Sequence, residues 1–125
     1  MNNKNNELPM MGGMLAGSAF LPSDAISGCA SFRDAVLLAW RNRRAMGMTK
    51  ARLAEVCELL PQHLSDYLSN DEINPKGQRR RSLPADKIAA FEAAVGNRAI
   101  TQYLVRQVNL NLMEEWQAQM AKKVA

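Results

Sequence analysis

The sequence predicts an all-α domain, and three stretches carry that prediction. Thr49 to Asn70 reads as two short helices joined by a tight turn. Phe32, Val36, Ala39 and Trp40 recur at steps that place them on one side of a helix. Ile100, Tyr103, Leu104 and Val108 do the same further on, and Leu112, Trp116 and Met120 continue that face at four-residue steps. A chain of 125 residues is expected to form one domain and is long enough for a core plus tails. The expected plan is five helices: a compact body over residues 31–108, a flexible N-terminal tail over 1–30, and a C-terminal helical extension over 109–125.

The tail expectation comes from composition. Residues 1–30 are rich in Asn, Gly, Ser and Met, hold Pro9 and Pro22, and show no sustained period. Met10 to Leu21 with Ile26-Ser27-Gly28-Cys29 is a poor match to a lipoprotein leader, because only Lys4 precedes it and Ser23-Asp24 interrupts it. Translation from Met10, Met11 or Met14 would make part of this stretch dispensable. The first helix is expected over Ser31 to Met46, with Ser31 and Asp34 as a capping pair and Gly47 closing it. Arg33, Arg41 and Arg44 cluster on one side of it, either as a solvated face or as phosphate contacts.

Thr49 caps the next helix, on which Leu53, Ala54 and Cys57 share a face. Leu59 and Leu60 carry the chain round a corner. Pro61 suits a first helical turn, where its missing N–H costs nothing. Leu64 and Tyr67 or Leu68 give the following helix its apolar side, and the small Ala54 lets the two helices cross closely.

These residues resemble the lambda-repressor/Cro-type helix-turn-helix, the xenobiotic-response-element family. Thr49, Leu53, Ala54 and Glu55 match the family's first helix, and Leu64-Ser65 with Tyr67 match its second. The resemblance covers about residues 31–108 and is strongest over 49–70. Glu58 departs from it, standing where the family has Gly. The resemblance implies a compact five-helix lambda-repressor-like domain that binds double-stranded DNA as a homodimer, most simply as a cytoplasmic, nucleoid-associated repressor of transcription.

On that reading the helix over 61–69 enters the major groove, and Gln62, His63, Ser65 and Asp66 read base edges. Phosphate contacts are expected from Arg41, Arg44, Thr49, Lys50, Arg52, Ser69, Lys76, Arg79, Arg80 and Arg81. No Lys or Arg lies between Leu53 and Pro75, while Glu55, Glu58, Asp66, Asp71 and Glu72 are acidic, so affinity must come from the flanks. The loop over about 70–83 is long for a compact helical domain and holds Arg79-Arg80-Arg81, which marks it as functional or disordered. The alternative reading is a protein-interaction adaptor or antitoxin-like accessory protein with weak or non-specific DNA binding.

Ser82 to Asp86 reads as a helix entry, with Ile88, Phe91 and Val95 facing the core and Gly96 closing the helix. A fifth helix begins near Asn97 or Arg98, and Asn109 and Asn111 mark a possible break. The core should be nearly complete by Val108. Tyr103, Leu112, Met113, Trp116 and Met120 are therefore expected to form a dimer surface or to receive another protein.

The remaining totals exclude more than they assign. Net charge is +4 with a pI near 9.4, which permits a nucleic-acid partner without requiring one. Cys29 and Cys57 lie far apart and His63 is the only histidine, so no metal, cofactor or disulfide scaffold is expected. No apolar run approaches the roughly 20 residues of a membrane span. Neither a nucleophile–base pair nor a phosphate-binding glycine loop is present, because Gly12, Gly13 and Gly17 do not join a strand to a helix. Catalysis is not expected.

Overall fold

The computed structural model describes residues 19–124. Among these residues six α-helices run in order: α1 Ser23–Ser27, α2 Phe32–Arg41, α3 Lys50–Cys57, α4 Pro61–Tyr67, α5 Ile88–Val95 and α6 Ala99–Val124. A single 3-10 turn, Ala85–Lys87, leads into α5. The described residues hold no strand, only the isolated bridges Ala19–Asn97 and Ile73–Arg79. The all-α expectation is met.

Residues 19–30, expected in the tail, belong to the fold. Ile26 is buried, and the Ala19 N–H donates to the Gly96 carbonyl (2.9 Å) while Ala19 accepts from the Arg98 N–H (3.0 Å). Gln102 holds Leu21 at both ends, donating to its carbonyl (3.0 Å) and accepting from its N–H (3.0 Å). The tail and translation-start expectations for residues 1–18 lie outside the described residues.

Local sequence explains the helix starts. The Ser31 hydroxyl accepts from the Asp34 N–H (3.2 Å), and the Asp34 carboxylate accepts from the Ala30 N–H (2.9 Å). The Thr49 hydroxyl accepts from the Arg52 N–H (3.1 Å), as its position predicted. Helix α2 ends at Arg41, five residues before the expected Met46. There the Asn42 side chain donates to the Leu38 carbonyl, and Arg43 stacks on Trp40 at 4.0 Å while donating to the carbonyls of Trp40, Met46 and Met48. Gly47 therefore closes nothing.

The α3–α4 corner turns at Glu58, which adopts a left-handed backbone (φ 56°, ψ 48°). That conformation lets the Leu59 N–H reach the Ala54 carbonyl (2.8 Å). It is unfavourable for a residue with a Cβ, and a carboxylate here also opposes the negative end of α3. Glu58→Gly is expected to stabilise the protein by about 1 kcal/mol. Urea denaturation at neutral pH measures it, and a destabilised variant would contradict this account of the corner.

Leu53, Ala54, Cys57, Leu64 and Tyr67 of α3 and α4 are buried with Ala35, Val36 and Ala39 of α2, Phe91 and Val95 of α5, and Ile100 of α6. Burial also pushes the Cys57 thiol up, which keeps it inert. Asn97 ties α6 to this core. Its carbonyl oxygen accepts from the Ala99 N–H (3.2 Å), and its amide donates to the Ala39 and Asn42 carbonyls (2.9 and 3.2 Å). Glu92 is buried beside it and accepts from the Thr101 N–H and hydroxyl (2.8 and 2.6 Å). Helix α6 then runs unbroken past Asn109 and Asn111, where a break was expected. The body ends sooner than Val108, because every described side chain from Val105 onward is exposed.

Candidate nucleic-acid interface

Helix α4 exposes only part of the face expected to read bases. Leu64 and Tyr67 anchor α4 inward, Gln62 and Ser65 are exposed, and His63 is half-buried. Pro61 opens the helix with Leu60 at the cap position and no side-chain capping bond. Gln62 and Ser65 are thus held on a short, well-anchored element with their polar groups outward.

Asp66 is different. It is half-buried, and its two carboxylate oxygens face Arg80 Nη1 (3.4 Å) and Arg81 Nη1 (3.1 Å). Burial raises its carboxyl, but hydrogen bonds and charge from Arg81, with a bond from Arg80, outweigh this and hold it below the usual carboxylate range. A carboxylate committed to two guanidinium groups is not free to accept from a cytosine amine. Asp66 positions arginines rather than reading bases.

The same region holds a residue that the sequence placed with the surface cations. Arg33 is buried. Its Nη1 donates to the Asp66 and Ser69 carbonyls, and its Nη2 to the carbonyls of Arg80 and Arg81 (3.0 Å to the latter). One guanidinium thereby joins α2, the C-terminal end of α4 and the basic segment. The carbonyls at the end of α4 carry partial negative charge, which suits a cation. Arg33 is not available to a phosphate, and neither is Arg43, which stacks on Trp40.

The loop expected to be functional or disordered is ordered. Asn74 builds it: its side-chain oxygen accepts from the N–H groups of Lys76 (2.9 Å) and Gln78 (2.8 Å). Gly77 takes a left-handed backbone (φ 81°), and the Arg80 N–H returns to the Glu72 carbonyl (2.8 Å). The result is a small hairpin with Lys76 at its exposed tip and Arg79 and Arg81 exposed along its return. Arg79 pairs with Glu72 (3.1 Å) at the surface. Arg80 is mostly buried against Asp66, so it serves the hairpin's anchorage before any phosphate.

The other expected phosphate residues are spread over the flanks. Arg41 is exposed and donates to the Asn70 side chain (2.7 Å), joining α2 to the end of α4. Arg44, Lys50 and Arg52 are exposed, with Arg52 paired to Glu55 (2.9 Å). Thr49 is occupied as a cap, and Ser69 is half-buried with its hydroxyl accepting from the Asp71 N–H (3.3 Å). Exposed surface ion pairs of this kind are weak and exchange readily for a phosphate.

Of the expected dimer residues, Leu112, Met113, Trp116 and Met120 are exposed, whereas Tyr103 is buried in its own core. Tyr103 is therefore a packing residue. Among the described residues no group of three or more His, Cys, Asp or Glu side chains is placed to hold a metal ion. No described helix is long and apolar enough to cross a membrane.

Comparison with protein-family models, curated proteins and solved structures finds no match to this chain.

Proposed function

We propose that the protein is a sequence-specific double-stranded DNA-binding regulator of transcription, of lambda-repressor-like helix-turn-helix type, acting as a dimeric repressor. The observation that carries this reading is the two-helix unit of Thr49 to Leu68. A hydroxyl cap at Thr49, buried Leu53, Ala54 and Leu64, and a left-handed corner at Glu58 hold α4 with Gln62 and Ser65 outward. Such a helix fits the major groove with its N-terminal residues toward base edges.

The charge distribution supports the same assignment of roles. Helix α4 carries no cation, so it contributes reading rather than grip. Grip comes from Lys50 and Arg52 at the start of α3, from Arg41 and Arg44, and from Lys76, Arg79 and Arg81 of the hairpin. Backbone N–H groups of the first turn of α3 and cations beside them suit a phosphate. Gln62 pairs with an adenine edge, and His63 and Ser65 supply single donors or acceptors.

The adaptor reading remains the rival, favoured by the acidic side chains Glu55 and Glu58 around the corner and by the exposed length of α6. Gln62 separates the two. Gln62→Ala is expected to relax the preference at one base pair, with a loss of about 1–3 kcal/mol in discrimination there and little change elsewhere. Binding competitions across single-base variants of a selected site measure it. A uniform loss over all sequences would remove Gln62 from the reading role.

A further inference from the structure

The start of α4 departs from what a helix start ordinarily requires. Leu60 stands at the cap position, where no side chain accepts from the first turn, and Pro61 follows it. Ser, Thr, Asp or Asn there would satisfy an orphan N–H, and an aliphatic residue forgoes that bond. Nor does Leu60 supply the apolar clamp that many helix starts carry. Leu59, one residue earlier, packs against the core that holds Leu64, four places beyond the cap. Leu60 is instead 53% exposed, alone among the large apolar side chains from Leu60 to Tyr67. A residue that breaks a local rule for so little burial points to a function.

Its neighbours narrow the chemistry. Pro61, Gln62 and Ser65 are exposed beside it. Helix α4 carries no Lys or Arg, so it has no cationic fork for guanine O6 and N7. Its one carboxylate, Asp66, is committed to Arg80 and Arg81 (3.4 and 3.1 Å), which removes the acceptor for a cytosine amine. Ser65 serves as donor or acceptor alike and selects no base. Two exposed groups with a preferred base remain. A glutamine such as Gln62 pairs with adenine N6 and N7, and an aliphatic side chain packs on the C5-methyl of thymine.

We infer that α4 reads A·T pairs, and that Leu60 is a specificity-determining residue that packs on a thymine methyl beside the adenine paired with Gln62. Leu60 and Gln62 fall within one turn, at the end of the helix whose residues face base edges in the major groove. The thymine methyl projects into that groove, and uracil lacks it while keeping the O4 acceptor and the backbone charge. The inference rests on the DNA reading and adds to it the class of base pair recognised.

The test uses the full chain and duplexes recovered from a randomised library at about 0.15 M salt. Each thymine of the recovered site is replaced in turn by uracil. At one position per half-site the change should weaken binding about four-fold, the worth of one buried carbon. Leu60→Ala should abolish that penalty. Leu60→Ser should abolish it too, with a Tm at or above that of the unmodified chain, because the new hydroxyl caps α4. That variant separates a lost contact from a lost fold. A G·C pair at the position relaxed by Gln62→Ala, no uracil penalty at any thymine, or a penalty that survives Leu60→Ala would overturn the inference and leave the DNA reading standing. Recovery of no motif would overturn both.

Discussion

Replacing Arg33 by Ala is expected to lower the free energy of unfolding by about 3 kcal/mol, a large share of the 5–15 kcal/mol typical of a domain. The buried guanidinium spans the carbonyls of Asp66, Ser69, Arg80 and Arg81. Its removal leaves these acceptors without their charged donor and opens a gap between α2 and the end of α4. Hydrogen bonds to charged groups are worth about 1.5–3 kcal/mol each in mutational series, and the losses at one guanidinium are not additive. Arg33→Lys should recover only part, because one ammonium cannot face both pairs of carbonyls as a planar fork does. Chemical denaturation of the three proteins measures this. A loss below about 1 kcal/mol for Arg33→Ala would show that the hairpin is held by other contacts.

The hairpin cations carry the second large effect. Joint replacement of Lys76, Arg79 and Arg81 by Ala should weaken DNA binding about 100-fold per bound protomer at 0.15 M salt. The slope of log affinity against log salt should flatten by about 3 per protomer, and so by about 5 for the dimer, close to one for each lost phosphate contact. Base preference should persist, since Gln62 and Ser65 lie on α4. The variant is expected to fold, because Arg80 keeps its contact with Asp66 and Arg33 keeps the backbone of the segment in place. Arg80 itself is a poor probe of phosphate grip, as its loss would also release Asp66. An unchanged salt slope in the triple variant would place the hairpin away from the DNA backbone.

What was legible in the sequence was local. Ser31 and Thr49 cap the helices they precede because a hydroxyl three residues from an orphan N–H needs no distant partner. Leu53, Ala54 and Leu64 are buried because helical spacing alone groups them on inward faces. Gly96 ends α5 in a left-handed backbone for the same local reason. The glutamate at the corner was visible as an exception, and the chain resolves it by adopting the strained conformation rather than shifting the turn.

What sequence reasoning missed depends on residues far apart in the chain. Arg33 looked like one of several surface arginines, yet its acceptors lie 33 to 48 positions away. Asp66 looked like a base reader on a helix face, and its partners arrive only when the hairpin folds back. Helix α1 hid in a Gly- and Ser-rich stretch because five residues show no period, and Ile26 is buried where α1 packs against α6. Tyr103 belonged to the same stripe as the projecting residues, but the body covers it before the helix emerges. Asn109 and Asn111 do not break α6, since an asparagine in a helix interior costs well under about 1 kcal/mol.

Selection from a randomised DNA library at about 0.15 M salt, the physiological ionic strength, tests the central claim most directly. Recovery of a short inverted repeat with half-sites about 10–10.5 base pairs apart, lost in the Gln62→Ala variant at one position per half-site, is the predicted result. Recovery of no motif from folded, dimeric protein would contradict the DNA reading and favour a protein-binding role for the same surface.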